Sequence, residues 1–260
     1  CAGAGDNAAA AVGTGTVGEG VCNISLGTSG TVFISSERFG VDPHNALHAF
    51  AHADGHYHLM GCILSAASCN KWLMEDIFKT SDYAAEQADI IPDKLGNNHV
   101  YFLPYLMGER SPINDTNARG TFTGLTMDTS RADLVQAVLE GVAFAIRDSF
   151  EVARTLGVPI RRSKICGGGA KSPLWTTIMA NVLNIQLEVP ESEQGPGMGG
   201  AMLAMVACGL YPSVADACEK LVRTAETISP DPVIAARYEV RYQQFKEIYP
   251  AMKNLFAILK

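Results

Sequence analysis

The sequence predicts an α/β fold, a mixed β-sheet carrying helices on its faces. Three observations carry that expectation. Two β-type runs, 21–26 and 31–36, meet across a glycine-bounded turn. A short strand feeds directly into Gly167-Gly168-Gly169-Ala170 and then a helix. Strands dominate early, and helix and strand alternate through the rest of the chain.

Taken in order, the first segment, 2–20, is rich in small residues, with Asp6-Asn7 just ahead of an alanine run. Asp and Asn are good N-caps and alanine is the best helix former, so a helix is expected over 8–12. The β runs follow, joined by Gly27-Thr28-Ser29-Gly30, and 56–60 is expected to add a third strand. Leu64, Cys69, Trp72, Leu73 and Ile77 recur at near-helical spacing, which predicts a helix over 64–78. A loop-rich stretch, 103–126, comes next. Ser130 and Asp133 read as a capping box opening a long helix whose apolar face holds Leu134, Val138, Val142 and Ile146, and which Gly157 and Pro159 end. The strand 163–166 meets the triple glycine. Ser172-Pro173 supplies an N-cap and first-turn proline for a helix over 174–183. A strand at 186–189, a glycine loop with its helix, and a terminal helix over 236–259 complete the pattern.

The 260 residues are 47% hydrophobic and 18% charged, which suits a well-buried globular protein. A net charge of −7 without a Lys/Arg cluster argues against a nucleic-acid surface, since phosphate backbones demand clustered positive charge. The longest apolar stretch, 198–211, is too short and glycine-rich to span a bilayer. No basic-then-apolar leader is seen, and the chain opens at Cys1 inside a glycine-rich motif, so it reads as a fragment. Cys1, Cys22, Cys62, Cys69, Cys166, Cys208 and Cys218 are odd in number and irregularly spaced, with no CxxC. Buried, reduced thiols of a cytoplasmic protein are expected rather than disulfides or zinc. His48, His52, His56 and His58 read as strand and loop residues, so no metal ligands are assigned.

Three loops have the composition to hold a nucleotide and a hydroxyl. In 27–30, glycines let backbone N–H groups converge on a phosphate and the Thr28 hydroxyl adds a donor; alone, the stretch reads first as an ordinary hairpin turn. In 167–170 the absence of side chains lets a ligand press against the backbone, with a helix N-terminus behind; tight helix–strand packing is the equal alternative. It has neither GxGxxG nor Walker A spacing. In Gly3-Ala4-Gly5-Asp6-Asn7 a carboxylate at a helix start is placed to accept a hydroxyl proton, although by itself a plain capping aspartate is the simpler reading.

Taken together, AGAGDNAAAAVG (2–13), SLGTSG (25–30), CGGGAKS (166–172), PYLMGERSPINDTNARG (104–120) and GTFTGLTMDTSRADLVQAVLE (120–140) resemble the FGGY family of carbohydrate kinases in wording and order. HAFAHADGHYHLMGCILSAASCNKW (48–72) is similar to the form of that region in the family's xylulokinase members. The resemblance implies a ribonuclease H-like, actin-like ATPase domain. Residues 1–20 would be the tail of an N-terminal domain and 21–260 the C-terminal, nucleotide-binding one. It implies Asp6 as catalytic base with Asn7 beside it on the sugar. Gly27, Thr28 and Ser29 would form a phosphate loop, Ala67 and Lys71 would lie near adenine or ribose, and Gly168, Gly169 and Ala170 would contact the nucleotide. Glu109 and Arg110 are read as a structural ion pair or loop brace.

The activity so implied is ATP- and Mg²⁺-dependent phosphorylation of a sugar hydroxyl, D-xylulose to D-xylulose 5-phosphate. A family member acting on gluconate, ribulose or glycerol is the first alternative, and a non-catalytic actin-like or Hsp70-like ATP-binding module the second. The missing N-terminal half is the implied partner, alone inactive fragments are expected, and family members are often homodimers.

Overall fold

A computed structural model describes residues 3–192 and 194–259; Cys1, and with it one expected thiol, lies outside them. The described strands are β1 (Val21–Leu26), β2 (Gly30–Ser36), β3 (His48–Ala51), β4 (Tyr57–Ile63), β5 (Tyr101–Leu103), β6 (Thr121–Thr123), β7 (Arg162–Cys166), β8 (Gln186–Pro190) and β9 (Thr224–Ile228). The α-helices are α1 (Asp6–Gly13), α2 (Ala67–Lys71), α3 (Tyr83–Gln87), α4 (Arg131–Thr155), α5 (Pro173–Leu183), α6 (Gly195–Ala207), α7 (Val214–Leu221) and α8 (Pro232–Ile258). Seven strands form one sheet in the order β3-β4-β2-β1-β7-β8-β9, and β5 pairs with β6 apart from it. The pairs β1–β7 and β7–β8 are parallel, while β1–β2, β2–β4, β3–β4 and β8–β9 are antiparallel. The sheet is therefore mixed, as the sequence predicts.

Strand alternation sorts β1 between two environments. Cys22, Ile24 and Leu26 enter the main core, whereas Asn23 and Ser25 stand on the other face opposite Phe33 and Thr31 of β2. The main core is built around α4. Its start is fixed by the expected capping box: Asp133 N–H donates to Ser130 Oγ (3.2 Å) and Ser130 N–H to Asp133 Oδ2 (2.8 Å). Phe144 of α4 meets Tyr238, Tyr242 and Phe245 of α8, with ring centroids 5.1–6.1 Å apart. Burying each such ring stabilises by about 1.5–3 kcal/mol. Buried Glu140 is spoken for on every side, accepting from Gln136 (2.7 Å), Tyr238 (2.9 Å) and Arg241 (2.8 Å).

The second face is thin. Val12, Met202, Ala217 and Cys218 make a small separate cluster between α1, α6 and α7. Helices α1 and α6 approach backbone to backbone. A Cβ on Gly13 would lie 1.9 Å from the Gly195 carbonyl oxygen, and one on Gly199 1.8 Å from that of Ala9.

Several expectations change. The N-cap of α1 is Gly5, and Asp6 is its first helical residue. The 64–78 helix starts later and changes pitch: the N–H groups of Leu64 and Ala66 are taken by Glu109 Oε1 and the Thr28 carbonyl, and Trp72–Ile77 is π-helical, with Phe78 N–H donating to Leu73. The glycines expected as a loop before α6 lie inside it; α1 packs where a Gly199 side chain would stand, while Gly197 and Gly200 face open space. Strands β3 and β9 and helices α3 and α7 were not anticipated. The Glu109–Arg110 ion pair does not form, because Glu109 is buried and accepts the N–H groups of Leu64 (2.9 Å) and Arg110 (2.7 Å). Arg110 instead points its guanidinium at His48 Nε2, 3.2 Å away, so only the brace remains. The six cysteines among the described residues are free, of which Cys208 is exposed and Cys62 and Cys166 half-buried rather than buried.

Candidate functional site

Two clefts meet at the turn after β7. The first, about 620 Å³, is lined by Thr28, Ala67, Lys71, Gly168 and Gly169, together with Asn70, Tyr83, Gln87 and Pro173. The second, about 560 Å³, is lined by Asp6, Asn7, Gly168 and Ala170. Its floor is the sheet face carrying Asn23, Ser25 and Thr31, and Ala10 of α1 and Gly195 of α6 stand over it. Gly168 and Lys171 line both clefts, so the separate loops singled out from the sequence share one continuous groove. Gly27 and Ser29 belong to the same turn as Thr28 but line neither cleft.

The three glycines divide their labour. Gly167 holds φ +90°, where a Cβ would lie 2.7 Å from the Leu26 carbonyl oxygen, so it is required by the turn itself. A Cβ on Gly169 would strike the Trp175 ring at 2.8 Å; that glycine serves packing, as the alternative reading of the motif proposed. Gly168 has nothing within 4 Å of its absent Cβ and opens to both clefts. Ser172 then caps α5, accepting from Trp175 N–H at 3.2 Å, as expected.

The β1–β2 turn is held from behind. Ala66 and Ser68 N–H donate to the Thr28 carbonyl (2.9 and 3.3 Å), Ala67 N–H to that of Gly27 (2.8 Å), and Ser68 Oγ also to Thr28 (2.8 Å). The N–H groups of Thr28, Ser29, Gly168 and Gly169 donate to no backbone carbonyl among the described residues. Two turns with unspent amides thus flank one groove, the arrangement that suits an anion. Helix α6 also begins at the second cleft with no side-chain cap at Gln194, leaving its positive end open there.

Asp6 is exposed at the start of α1, its Oδ1 accepting, among the described residues, only from Asn7 N–H at 2.8 Å. The remaining carboxylate oxygen is available to the second cleft. Lys71 is exposed and pairs with Glu75 at 3.7 Å. Of the histidines, His58 stacks on Phe33 (3.9 Å) and burial pushes it down to about 4, while His52 Nε2 meets the Thr16 carbonyl at 2.8 Å. Among the described residues no three His, Cys, Asp or Glu side chains gather as a metal site, and no helix is long and apolar enough to cross a membrane. Sequence reasoning passed over Asn23, Ser25, Thr31, Asn70 and Gln87. The first three were legible as the polar alternation of strands flanking the turn; Gln87 sits on a helix that the pattern did not announce.

Residues 22–208 match the C-terminal domain of the FGGY family of carbohydrate kinases. The chain is 38% identical to a xylulose kinase of Escherichia coli over 98% of its own length and 53% of the relative's. Among solved structures, a xyloylose kinase from Brucella ovis superposes with a TM-score of 0.90 at 39% identity, over 97% of this chain and 52% of that one. A gluconate kinase from Lactobacillus acidophilus superposes with a TM-score of 0.88 at 25% identity, covering 97% and 51%. The chain thus spans about half the length of the curated relatives it matches.

Proposed function

The chain belongs to the FGGY family of carbohydrate kinases, with their actin-like ATPase fold, and from that premise we propose that it is the nucleotide-binding part of an ATP-dependent xylulose kinase. The single observation that carries the reading is the shared groove: the Thr28 turn and the Gly168 turn line one cleft, and Gly168 joins it to the cleft of Asp6. In this reading ATP lies along the groove, its base among Ala67, Lys71 and Pro173 and its terminal phosphates at Gly27-Thr28-Ser29 and the Gly168-Gly169-Ala170 backbone. The size of the first cleft suits such a ligand, and the unspent amides supply donors that need no reorganisation.

Asp6 accepts the proton of the sugar hydroxyl as its oxygen attacks the terminal phosphorus, with Asn7 orienting the sugar beside it. The Thr28 hydroxyl donates to the transferring phosphoryl oxygens. Mg²⁺ characteristically needs only one or two carboxylates plus phosphate oxygens and water, and its carboxylate would come from the N-terminal half, leaving Asp6 free to act as the base. When bound it neutralises charge on the phosphates. The remaining sugar and metal contacts are assigned to an N-terminal half, of which residues 1–20 are the tail and to which 21–260 are the C-terminal partner. Cytoplasmic location follows from the same reading, because ATP and sugar meet there. The gluconate kinase neighbour keeps a sugar acid as the second substrate reading.

The test is Asp6→Ala in the two-domain protein. Sugar-dependent ADP formation is expected to fall by about 10²–10⁴-fold while ATP binding persists. Retained turnover removes Asp6 from the mechanism. Assays against D-xylulose, ribulose, gluconate and glycerol then fix the acceptor.

A further inference from the structure

The first cleft contains a buried polar group that the chemistry above does not use. Asn70 stands on α2, one turn beyond Ala67, and is 5% exposed, yet it lines the cleft. Its Oδ1 is buried with no hydrogen-bond partner among the described residues. A buried amide oxygen without a donor is destabilising, and folded proteins carry few of them. Neighbouring polar groups do not supply it: Cys69 donates to the Ser65 and Pro104 carbonyls, Ser68 donates to Thr28, and the buried Ser65 hydroxyl makes no hydrogen bond to it. The missing donor is therefore sought in what fills the cleft.

Position narrows what that donor is. Ala67 N–H is tied to the Gly27 carbonyl at the phosphate-facing turn, and α2 leads away from it. Asn70 lies about 4.5 Å further along the helix axis. The cleft there is walled by flat or apolar surfaces, Tyr83, Ala84, Pro173 and Trp175, which suit a planar ring. A second amide stands in the same wall: Gln87 Oε1 accepts from Ser172 Oγ at 2.9 Å, which fixes that side chain with its NH₂ group to spare. A side-chain amide offers one acceptor and one donor side by side, the complement of adenine's exocyclic amine and its adjacent ring nitrogen.

We propose that Asn70 is a specificity-determining residue that reads the exocyclic amine of the purine base, making the cleft selective for adenine. The inference rests on the proposed nucleotide site and adds to it the group that sorts one base from another. The amine supplies the donor that Oδ1 lacks in the free protein, so recognition and relief of an unsatisfied acceptor are the same event. A purine without the amine leaves Oδ1 unpaired and binds more weakly for that reason.

The experiment compares ATP with purine riboside triphosphate, which lacks only the amine, in the two-domain protein, by calorimetric titration with Mg²⁺ present. The unaltered protein is expected to favour ATP by about tenfold, and Asn70→Leu to bring the two ligands within about twofold by weakening ATP alone. Thermal melting of Asn70→Leu checks that it folds. Equal affinities in the unaltered protein overturn the assignment without needing any variant. So does a variant whose preference for ATP is unchanged, or one that instead loses discrimination between ATP and 2′-deoxy-ATP, which would move Asn70 to the ribose. A protein that binds ATP but ignores the amine sinks this inference alone; one that binds neither triphosphate sinks the nucleotide site with it.

Discussion

On one side of the sheet, α4 and α8 bury rings against rings, with Phe144 enclosed by Tyr238, Tyr242 and Phe245. On the other, α1 and α6 touch through bare backbone at Gly13 and Gly199, over the small cluster of Val12, Met202, Ala217 and Cys218. The first side holds the fold by area removed from water, the second by fit. The difference matters because α1 carries Asp6 and α6 opens on the same cleft. The catalytic proposal thus lies on the side with the smaller stabilisation, where a small displacement moves a functional group without unfolding the domain.

Paired substitutions test this division most strongly. Phe144→Ala leaves a cavity in the thick face and is expected to cost about 3–5 kcal/mol in urea unfolding. Gly199→Leu drives a side chain into the Ala9 carbonyl and is expected to cost less, about 1–3 kcal/mol. Its sugar-dependent turnover in the two-domain protein nevertheless falls further than that of Phe144→Ala, since α1 must move and Asp6 with it. Unchanged turnover in Gly199→Leu would show that α1 is not held by this contact.

The thick face also carries the pH response. Burial pushes Glu109 up to about 7 and Asp148 up to about 7, even though Glu109 accepts two backbone N–H groups and Asp148 the Tyr242 hydroxyl. In the unfolded chain these carboxyls release their protons near their ordinary values of 4.5 and 3.8. Between there and about 7 the folded state binds more protons, so stability from these groups is full below the unfolded values and is lost as pH rises through the folded ones. Unfolding free energy is expected to fall by up to about 5 kcal/mol from about pH 5 to about pH 8. Glu109→Gln is expected to reduce the slope. A stability that climbs over that interval would place the titration elsewhere.

Legibility followed how local each signal was. The β1–β2 turn, the strand into Gly167-Gly168-Gly169, the Ser130–Asp133 box and the Ser172-Pro173 start of α5 are written in adjacent residues, and all stand where the sequence puts them. The π-helical pitch of 72–77 is not an apolar periodicity, and it was missed. Strand β9 is mostly exposed, so no buried face marks it. The glycines of α6 read as a loop, and the reason for Gly199, the backbone of α1, is distant in sequence. At the clefts, Asp6, Asn7, Thr28, Gly168, Gly169 and Ala170 belong to motifs legible in adjacent residues, while Asn70 and Gln87 depend on tertiary contacts that no spacing encodes.

The smallest effect concerns Lys71, which separates occupying a cleft wall from contributing to binding. Its side chain is 67% exposed and pairs with Glu75 one turn on at 3.7 Å, so its loss is expected to change stability by only about 0.3–0.5 kcal/mol. It also lines the first cleft beside Ala67 and Asn70. If its ammonium reaches the ribose or a phosphate, Lys71→Ala weakens ATP by about threefold, the scale of one solvated charge contact, and the difference shrinks with added salt as screening removes it. An ATP affinity equal to the parent's at low salt leaves Lys71 as the solvated partner of Glu75 and nothing more. Base selectivity would then persist in Lys71→Ala while disappearing in Asn70→Leu.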